Sequence, residues 1–364
     1  MKLKIPDYIL DIAPYVPGKP IEELEREYGI GNSIKLASNE NPLGPSPKAM
    51  DAISRQVAGL HRYPDGAGHV LLNKLAAKLD VLPGQIVMGN GSDDILGLLS
   101  RALLQPGDEA IIPVPSFLMY RIVTQTAGAV PVQIPLRDMD IDLEEILRRV
   151  TPRTRLIFIC NPNNPTGTMV TQDALQSLLE ALPPEVLVVL DEAYVEFVRD
   201  PRCAQGLSFL DGEPTVVTLR TFSKIYGLAG LRVGYGVMPK MLAQLLNRIR
   251  MPFNVNSLAQ AAAVAALDDR EFFEKTTALV HDGLDFLFAE LEKRGLRCFP
   301  TQTNFFLIDM QHDAKVVFER FLRQGVIVRA MNAYGFPKYI RINVGLPEEN
   351  RRFLGALDQV MAGL

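Results

Sequence analysis

The stretch Thr221-Phe222-Ser223-Lys224-Ile225-Tyr226-Gly227-Leu228-Ala229-Gly230-Leu231-Arg232-Val233-Gly234 decides how this chain is read. It lies between two apolar runs, Val216 to Leu219 and Val233 to Val237, and so reads as the crossing between two buried strands. A lysine at a strand end among small hydroxyl and glycine residues is open to desolvation. Desolvation lowers the pKa of an amine and makes it a nucleophile toward an aldehyde. Alone, a loop lysine is more often solvated surface. Here Ser223 adds a hydroxyl, Arg232 adds a cation, and the glycines let backbone approach a bulky anion closely. Together they resemble a phosphate cup.

Working outward, short runs rich in Val, Ile and Leu alternate with helix-like stretches. Strands are expected at Ile86 to Met88, Glu109 to Pro113, Ala129 to Ile134, Leu156 to Cys160, Val186 to Leu190, Val216 to Leu219 and Val233 to Val237. Helices are expected at Leu71 to Lys78, Asp94 to Leu104, Leu143 to Val150, Thr171 to Leu182 and Lys240 to Arg250. That alternation is the α/β pattern, a doubly wound and mostly parallel sheet with helices on both faces. After Val255 one long helical region, Ser257 to Arg294, precedes short strands near Arg297, Phe305 to Asp309, Val326 to Arg329 and Tyr339 to Val344, which reads as a smaller α+β domain. The Pro-rich first ~35 residues have too little periodicity to stand alone and are expected to lie across that domain or a partner subunit. The expected division is an arm at 1–38 belonging to the small domain, a large domain at 39–255 and a small domain at 256–364.

With 364 residues the chain exceeds the size of a single core, which agrees with two domains. A net charge of −4 and a pI near 5.7 leave no basic footprint for nucleic acid or an anionic membrane. Small molecules or a second copy are the expected partners. Cys160, Cys203 and Cys298 are odd in number and lack CxxC spacing, against both a disulfide framework and a thiolate metal site. The opening MKLKIPDYILDIAPYVPGKP has no apolar run suited to a signal peptide, and nothing approaches the ~20 apolar residues of a membrane span. A cytoplasmic location is expected.

Three further motifs carry chemistry. Val186 to Leu190 runs straight into Asp191-Glu192-Ala193-Tyr194, placing Asp191 at the carboxyl edge of the sheet, where open α/β folds bind ligands. Such an Asp can keep a pyridine nitrogen protonated, cap a helix or hold magnesium. A Walker B role fails, since the chain has no GxxxxGK[ST] loop. Asn161-Pro162-Asn163-Asn164-Pro165-Thr166-Gly167 is a rigid turn after another strand, its amides able to meet a phenolic oxygen or simply to close a loop. Gly89-Asn90-Gly91-Ser92-Asp93-Asp94 opens a helix, a ready phosphate site or an ordinary Ser92 or Asp93 cap.

Each of these is weak alone, but the four together resemble fold-type I pyridoxal-phosphate aminotransferases in order and spacing across Gly89 to Gly234. The resemblance implies a large doubly wound domain with a smaller α+β domain, and pyridoxal 5'-phosphate bound through Lys224. It implies that Asp191 pairs with the ring nitrogen, that Asn164 and Tyr194 contact the ring oxygen, and that Ser92, Asp93, Ser223 and Arg232 hold the phosphate. Phe117 matches the position of an aromatic stacked on the ring; the subfamily often has Tyr there, so stacking is kept and a hydroxyl contact is not. Tyr63, in Arg62-Tyr63-Pro64, resembles the tyrosine that reaches the cofactor phosphate of the other subunit, which implies a homodimer.

Within the family the likeness is to the histidinol-phosphate aminotransferases. It rests on Ala13-Pro14-Tyr15, Leu36-Ala37-Ser38-Asn39-Glu40-Asn41-Pro42, Arg62-Tyr63-Pro64-Asp65, Gly325-Val326-Ile327-Val328-Arg329 and Arg341-Ile342-Asn343-Val344-Gly345. It implies transfer of an amino group from histidinol phosphate to 2-oxoglutarate, giving glutamate. Arg341 resembles the carboxylate arginine and Arg329 a second arginine for the substrate phosphate, with Tyr15 and Asn39 beside them. On the same fold, an aromatic-amino-acid aminotransferase and a threonine-phosphate decarboxylase are the rival enzymes. A cofactor-binding transcription regulator would need an N-terminal DNA-binding domain, whereas motifs here begin by Asn39.

Overall fold

A computed structural model describes residues 3–15 and 18–364. Among the described residues the strands form three sheets. The largest has seven strands, in the order Ile86–Gly89, Gly234–Val237, Val216–Thr221, Leu187–Asp191, Thr154–Cys160, Glu109–Val114 and Val130–Pro135. Only Gly234–Val237 runs antiparallel to its neighbours in this sheet. Each expected strand is present close to its expected bounds. Their apolar character has a direct cause. Leu156 and Phe158 pack with Val189 and Val217 on one face, while Ile157 and Ile159 pack with Val188 and Leu190 on the other. Because helices cover both faces, alternate residues are buried on opposite sides and the strand must be apolar throughout.

Helices Ser92–Leu103 and Lys240–Ile249 cover the first face through Ile95, Leu99, Leu242 and Leu246. Helix Gln172–Ala181 covers the second through Leu175, Leu178 and Leu179. Ser257 to Arg294, expected as a long helical region, holds two helices, Ser257–Leu267 and Arg270–Lys293. The break falls at Asp268 and Asp269, where the Asp269 carboxylate caps the second helix by accepting from the Phe272 N–H. An aspartate competes with helix continuation in just this way.

The C-terminal strands Arg329–Ala330, Tyr339–Asn343, Phe305–Asp309 and Arg297–Cys298 form a four-stranded antiparallel sheet. The expected strand Val326 to Arg329 is also divided: Val326–Ile327 pairs in parallel with Ile34–Lys35, and the chain joins the four-stranded sheet only from Arg329. The described residues among the first ~35 have more order than their prolines suggest. Helix Ile21–Tyr28 buries Leu24 against Ala37, Leu322 and Ile327, so this part does lie on the C-terminal region. The short helix Asp7–Leu10 instead lies against Met119–Thr126 of the large sheet's cover.

Parallel strands end at one edge. Gly89, Val114, Cys160, Asp191 and Thr221 close their strands there, and Gly234 enters at the same edge because it pairs with both Gly89 and Thr221. Gly227 pins the loop after Thr221. Its φ is +68°, and a Cβ there would lie 2.1 Å from the Gly44 carbonyl oxygen. Gly227→Ala should therefore destabilise the fold by about 2 kcal/mol or more, combining left-handed strain with a backbone clash. Calorimetry would detect this as a lowered melting temperature; an unchanged one would contradict the packing.

Candidate active site

Loops from that edge enclose a cavity of about 200 Å³ between the large sheet and the C-terminal region. Its lining gathers Ser92, Asp93, Phe117, Asn164, Asp191, Tyr194, Ser223, Lys224 and Arg232 from the large sheet's loops. Tyr15, Asn39, Arg329 and Arg341 line it from the opposite side. Every residue singled out from the sequence meets here except Tyr63. Tyr63 is 83% exposed and stacks on Phe253 with ring centroids 4.8 Å apart, outside this cavity.

Lys224 Nζ donates to the Ser38 carbonyl at 3.4 Å and lies 5.6 Å from the Tyr194 ring centroid. Burial, and next the nearby Arg341 cation, lower its pKa to about 8. Asp191 is buried and accepts from Tyr120 Oη at 2.8 Å through Oδ2, while Oδ1 has no partner. Burial raises its pKa to about 6 against the opposing effect of the Tyr120 bond. An unpaired, desolvated carboxylate oxygen is costly and marks the place where a donor belongs.

The Tyr194 hydroxyl accepts from Asn39 Nδ2 at 3.0 Å and from Asn164 Nδ2 at 3.4 Å. Burial pushes its pKa upward. Arg341, only 5% exposed, donates to Asn164 Oδ1 at 2.5 Å and to the Ala37 carbonyl at 2.9 Å. Its Nε has no partner. These are neutral acceptors, so the guanidinium retains its charge for an incoming anion.

At the other end Arg232 donates to Asp93 Oδ2 at 3.2 Å and to the Ala229 carbonyl at 3.1 Å. Both side chains of the ion pair are about two-fifths exposed, 43% and 39%, so the pair itself contributes little stability. Its arrangement suits an anion better than it suits folding. Gly91 makes room, since a Cβ there would meet Arg232 Nη2 at 2.6 Å, and the N-terminus of helix Ser92–Leu103 opens beside it. The set fits pyridoxal phosphate: a buried amine, an acid with one free oxygen, two donors near a ring oxygen, an aromatic wall at Phe117, and an anion cup.

Further residues of the site, lining it or behind its wall, were not singled out from the sequence. Ser38 supplies the carbonyl that Lys224 meets, and Tyr334 sits near the two C-terminal arginines. Tyr120 reaches Asp191 from helix Met119–Thr126, an element that was not expected. Its only sequence signal is proximity to Phe117.

The family model for class I and II aminotransferases matches residues 31–357. The chain is 47% identical to a histidinol-phosphate aminotransferase of Moorella thermoacetica, over 99% of this chain and 93% of that protein. It is 49% identical to histidinol-phosphate aminotransferase 2 of Pseudomonas aeruginosa, over 96% of each. Among solved structures, the histidinol-phosphate aminotransferase of Sinorhizobium meliloti in complex with pyridoxal-5'-phosphate superposes with a TM-score of 0.91 at 29% identity, covering 99% of this chain and 98% of that one.

With Lys224 depressed to about 8, the cofactor-free protein should expose a lysine whose reaction with an amine reagent rises through pH 8, well below the ordinary lysine value of about 10.4. The sign follows from burial, which favours the neutral amine. Between those two values the unfolded chain binds the additional proton, so this lysine's contribution makes stability rise with pH there. Mass spectrometry of the labelled residue gives the midpoint, and a midpoint near 10.4 would refute the assignment.

Proposed function

The chain belongs to the class I and II aminotransferases, and within them to the histidinol-phosphate aminotransferases, and from that premise we propose that it transfers the amino group of L-histidinol phosphate to 2-oxoglutarate, yielding imidazole acetol phosphate and glutamate in histidine biosynthesis. It is a fold-type I enzyme that uses pyridoxal phosphate. The observation that carries the reading is one cavity that gathers a buried lysine, a buried carboxylate with an unpartnered oxygen, and arginines at both ends.

When bound, pyridoxal phosphate supplies the electron sink for breaking the substrate Cα–H bond. Lys224 Nζ would hold the cofactor through its aldehyde and give it up to a substrate amine. Its buried amine, partly neutral at working pH, would then be the base placed to take the substrate Cα proton. Asp191 Oδ1, which lacks a partner, would hold the ring nitrogen protonated. Asn164 and Tyr194 would serve the ring oxygen, and Phe117 would support the ring. Ser92, Asp93, Ser223 and Arg232, with the helix start, would hold the cofactor phosphate.

Histidinol phosphate has no α-carboxylate and glutamate has one, so the substrate pocket must accept a phosphate ester in one half-reaction and a carboxylate in the other. Arginine's planar donor fork serves both. Arg341 takes the carboxylate, and Arg329 with Tyr15 takes the substrate phosphate, with Asn39 closing the pocket. Removing a charged anchor from a phosphate typically costs 1.5–3 kcal/mol, or roughly 10- to 100-fold. Arg329→Ala should lower kcat/KM for histidinol phosphate by about that factor while sparing cofactor absorbance, and Lys224→Ala should abolish both the absorbance of the lysine-linked cofactor and turnover. Histidinol phosphate supplied without acceptor should convert the bound cofactor to its amine form. Preference for aromatic amino acids, or release of carbon dioxide without an acceptor, would replace this reading with a rival chemistry.

Three organisational proposals accompany it. The division into 1–38, 39–255 and 256–364 is supported by the containment of the seven-stranded sheet within 86–237 and of the four-stranded one within 297–343. A cytoplasmic location is compatible with the finding that, among the described residues, no helix is long and apolar enough to cross a membrane. A homodimer in which Tyr63 reaches the other subunit's cofactor is supported by that ring's exposure beside exposed Leu60 and Phe253. Sedimentation should give a mass near twice 40.3 kDa, and Tyr63→Ala should weaken cofactor binding without altering the lysine's environment. A monomeric, fully active protein would rule the dimer out.

A further inference from the structure

Tyr120 stands outside the chemistry assigned so far, yet it makes a direct hydrogen bond to the acid at the base of the site. Its side chain is fully buried. The ring stacks on Phe158 with centroids 5.0 Å apart and planes within 5°, and it meets Phe117 edge-on at 5.6 Å. Held on two sides, the ring has no freedom to withdraw its hydroxyl. That hydroxyl donates to Asp191 Oδ2 at 2.8 Å.

The consequence for Asp191 is geometric. One oxygen is occupied, so rotation of the carboxylate is blocked, and the other, Oδ1, is left without a partner. The Ala193 backbone N–H also acts on this carboxylate, but Tyr120 is its side-chain donor, and a carboxylate fixed at one oxygen presents the second in a set direction. The same bond resists the effect of burial. A carboxylate stripped of water drifts toward its neutral form, and a neutral acid cannot stabilise a proton on a pyridine nitrogen. Burial also pushes the Tyr120 hydroxyl well above its ordinary pKa, so it remains a donor at any working pH. The titratable groups acting on Asp191 are Tyr120, Asp93, Glu192 and Cys160. Of these, Tyr120 is the one that donates to the carboxylate through its side chain.

We propose that Tyr120 is a positioning residue that holds Asp191 as an anion and reserves Oδ1 for the ring nitrogen of the cofactor, an inference that rests on the cofactor reading above. The test is Tyr120→Phe, which keeps both ring contacts and deletes only the donor. Affinity of the cofactor-free protein for pyridoxal phosphate should weaken by about 10- to 100-fold, the usual effect of losing a hydrogen bond to a charged group. With the ring nitrogen less protonated, its positive charge no longer opposes protonation of the lysine linkage, so the visible absorbance should titrate at higher pH than in wild type. The rate kcat should fall more than KM changes.

Asp191→Asn separates positioning from packing. If Tyr120 acts through the carboxylate, adding Tyr120→Phe to Asp191→Asn should weaken cofactor binding no further, whereas a packing role would give additive losses. Additive losses, or a Tyr120→Phe protein with wild-type affinity and titration midpoint, would overturn the proposal. If wild-type protein takes up no pyridoxal phosphate, or Lys224→Ala leaves the absorbance intact, the cofactor reading itself fails.

Discussion

Everything in this site depends on keeping three ionisable side chains, Lys224, Asp191 and Arg341, buried in one cavity without letting them neutralise one another. Charges removed from water normally find opposite charges. Here Arg341 donates to the neutral oxygens of Asn164 and Ala37, and Lys224 to the Ser38 carbonyl. Asp191 accepts from a phenol. Each group therefore retains unspent binding capacity, as a lowered amine pKa, an unpaired carboxylate oxygen or an unpaired Nε. A ligand that brings an aldehyde, a basic ring nitrogen and anions relieves these three costs together.

Such an arrangement needs a rigid frame, and the seven-stranded sheet provides one. Its parallel strands deliver Asp191, the Lys224 loop, the Asn164 turn and the Ser92 helix start to a single edge. Burial of both sheet faces holds those strand ends to their register, since a slip by one residue would move each side chain to the opposite layer. Gly91 and Gly227 act at this edge by removing side chains where backbone or Arg232 must come close. The wall opposite comes from Arg329 and Arg341 on the four-stranded sheet and from Tyr15 and Asn39 near the start of the chain.

The large sheet was legible because its strands carry a strong local signal, apolar runs ended by Asp, Pro or Gly. Elsewhere the local signal misled. Ser257 to Arg294 reads as a long helical region because its apolar spacing continues, and the Asp269 cap that divides it in two went unread. Val326 to Arg329 reads as one strand because the residues are alike, but it changes partners after Ile327. Helix Ile21–Tyr28 is hidden by the prolines around it, although Leu24 is fully buried.

By itself, the sequence determined which groups to look for: a lysine, an acid, an amide turn and a glycine-rich helix start with Arg232, recognisable because each sits next to a strand or helix end that marks its place. Only the tertiary structure decided how those groups are tuned. Tyr120 meets Asp191 across 71 residues of chain, and Arg341 meets Asn164 across 177. No local pattern encodes such distant pairings. Burial, which sets the Lys224 amine near pH 8 and leaves one Asp191 oxygen free, exists only once both sheets have closed around the cavity.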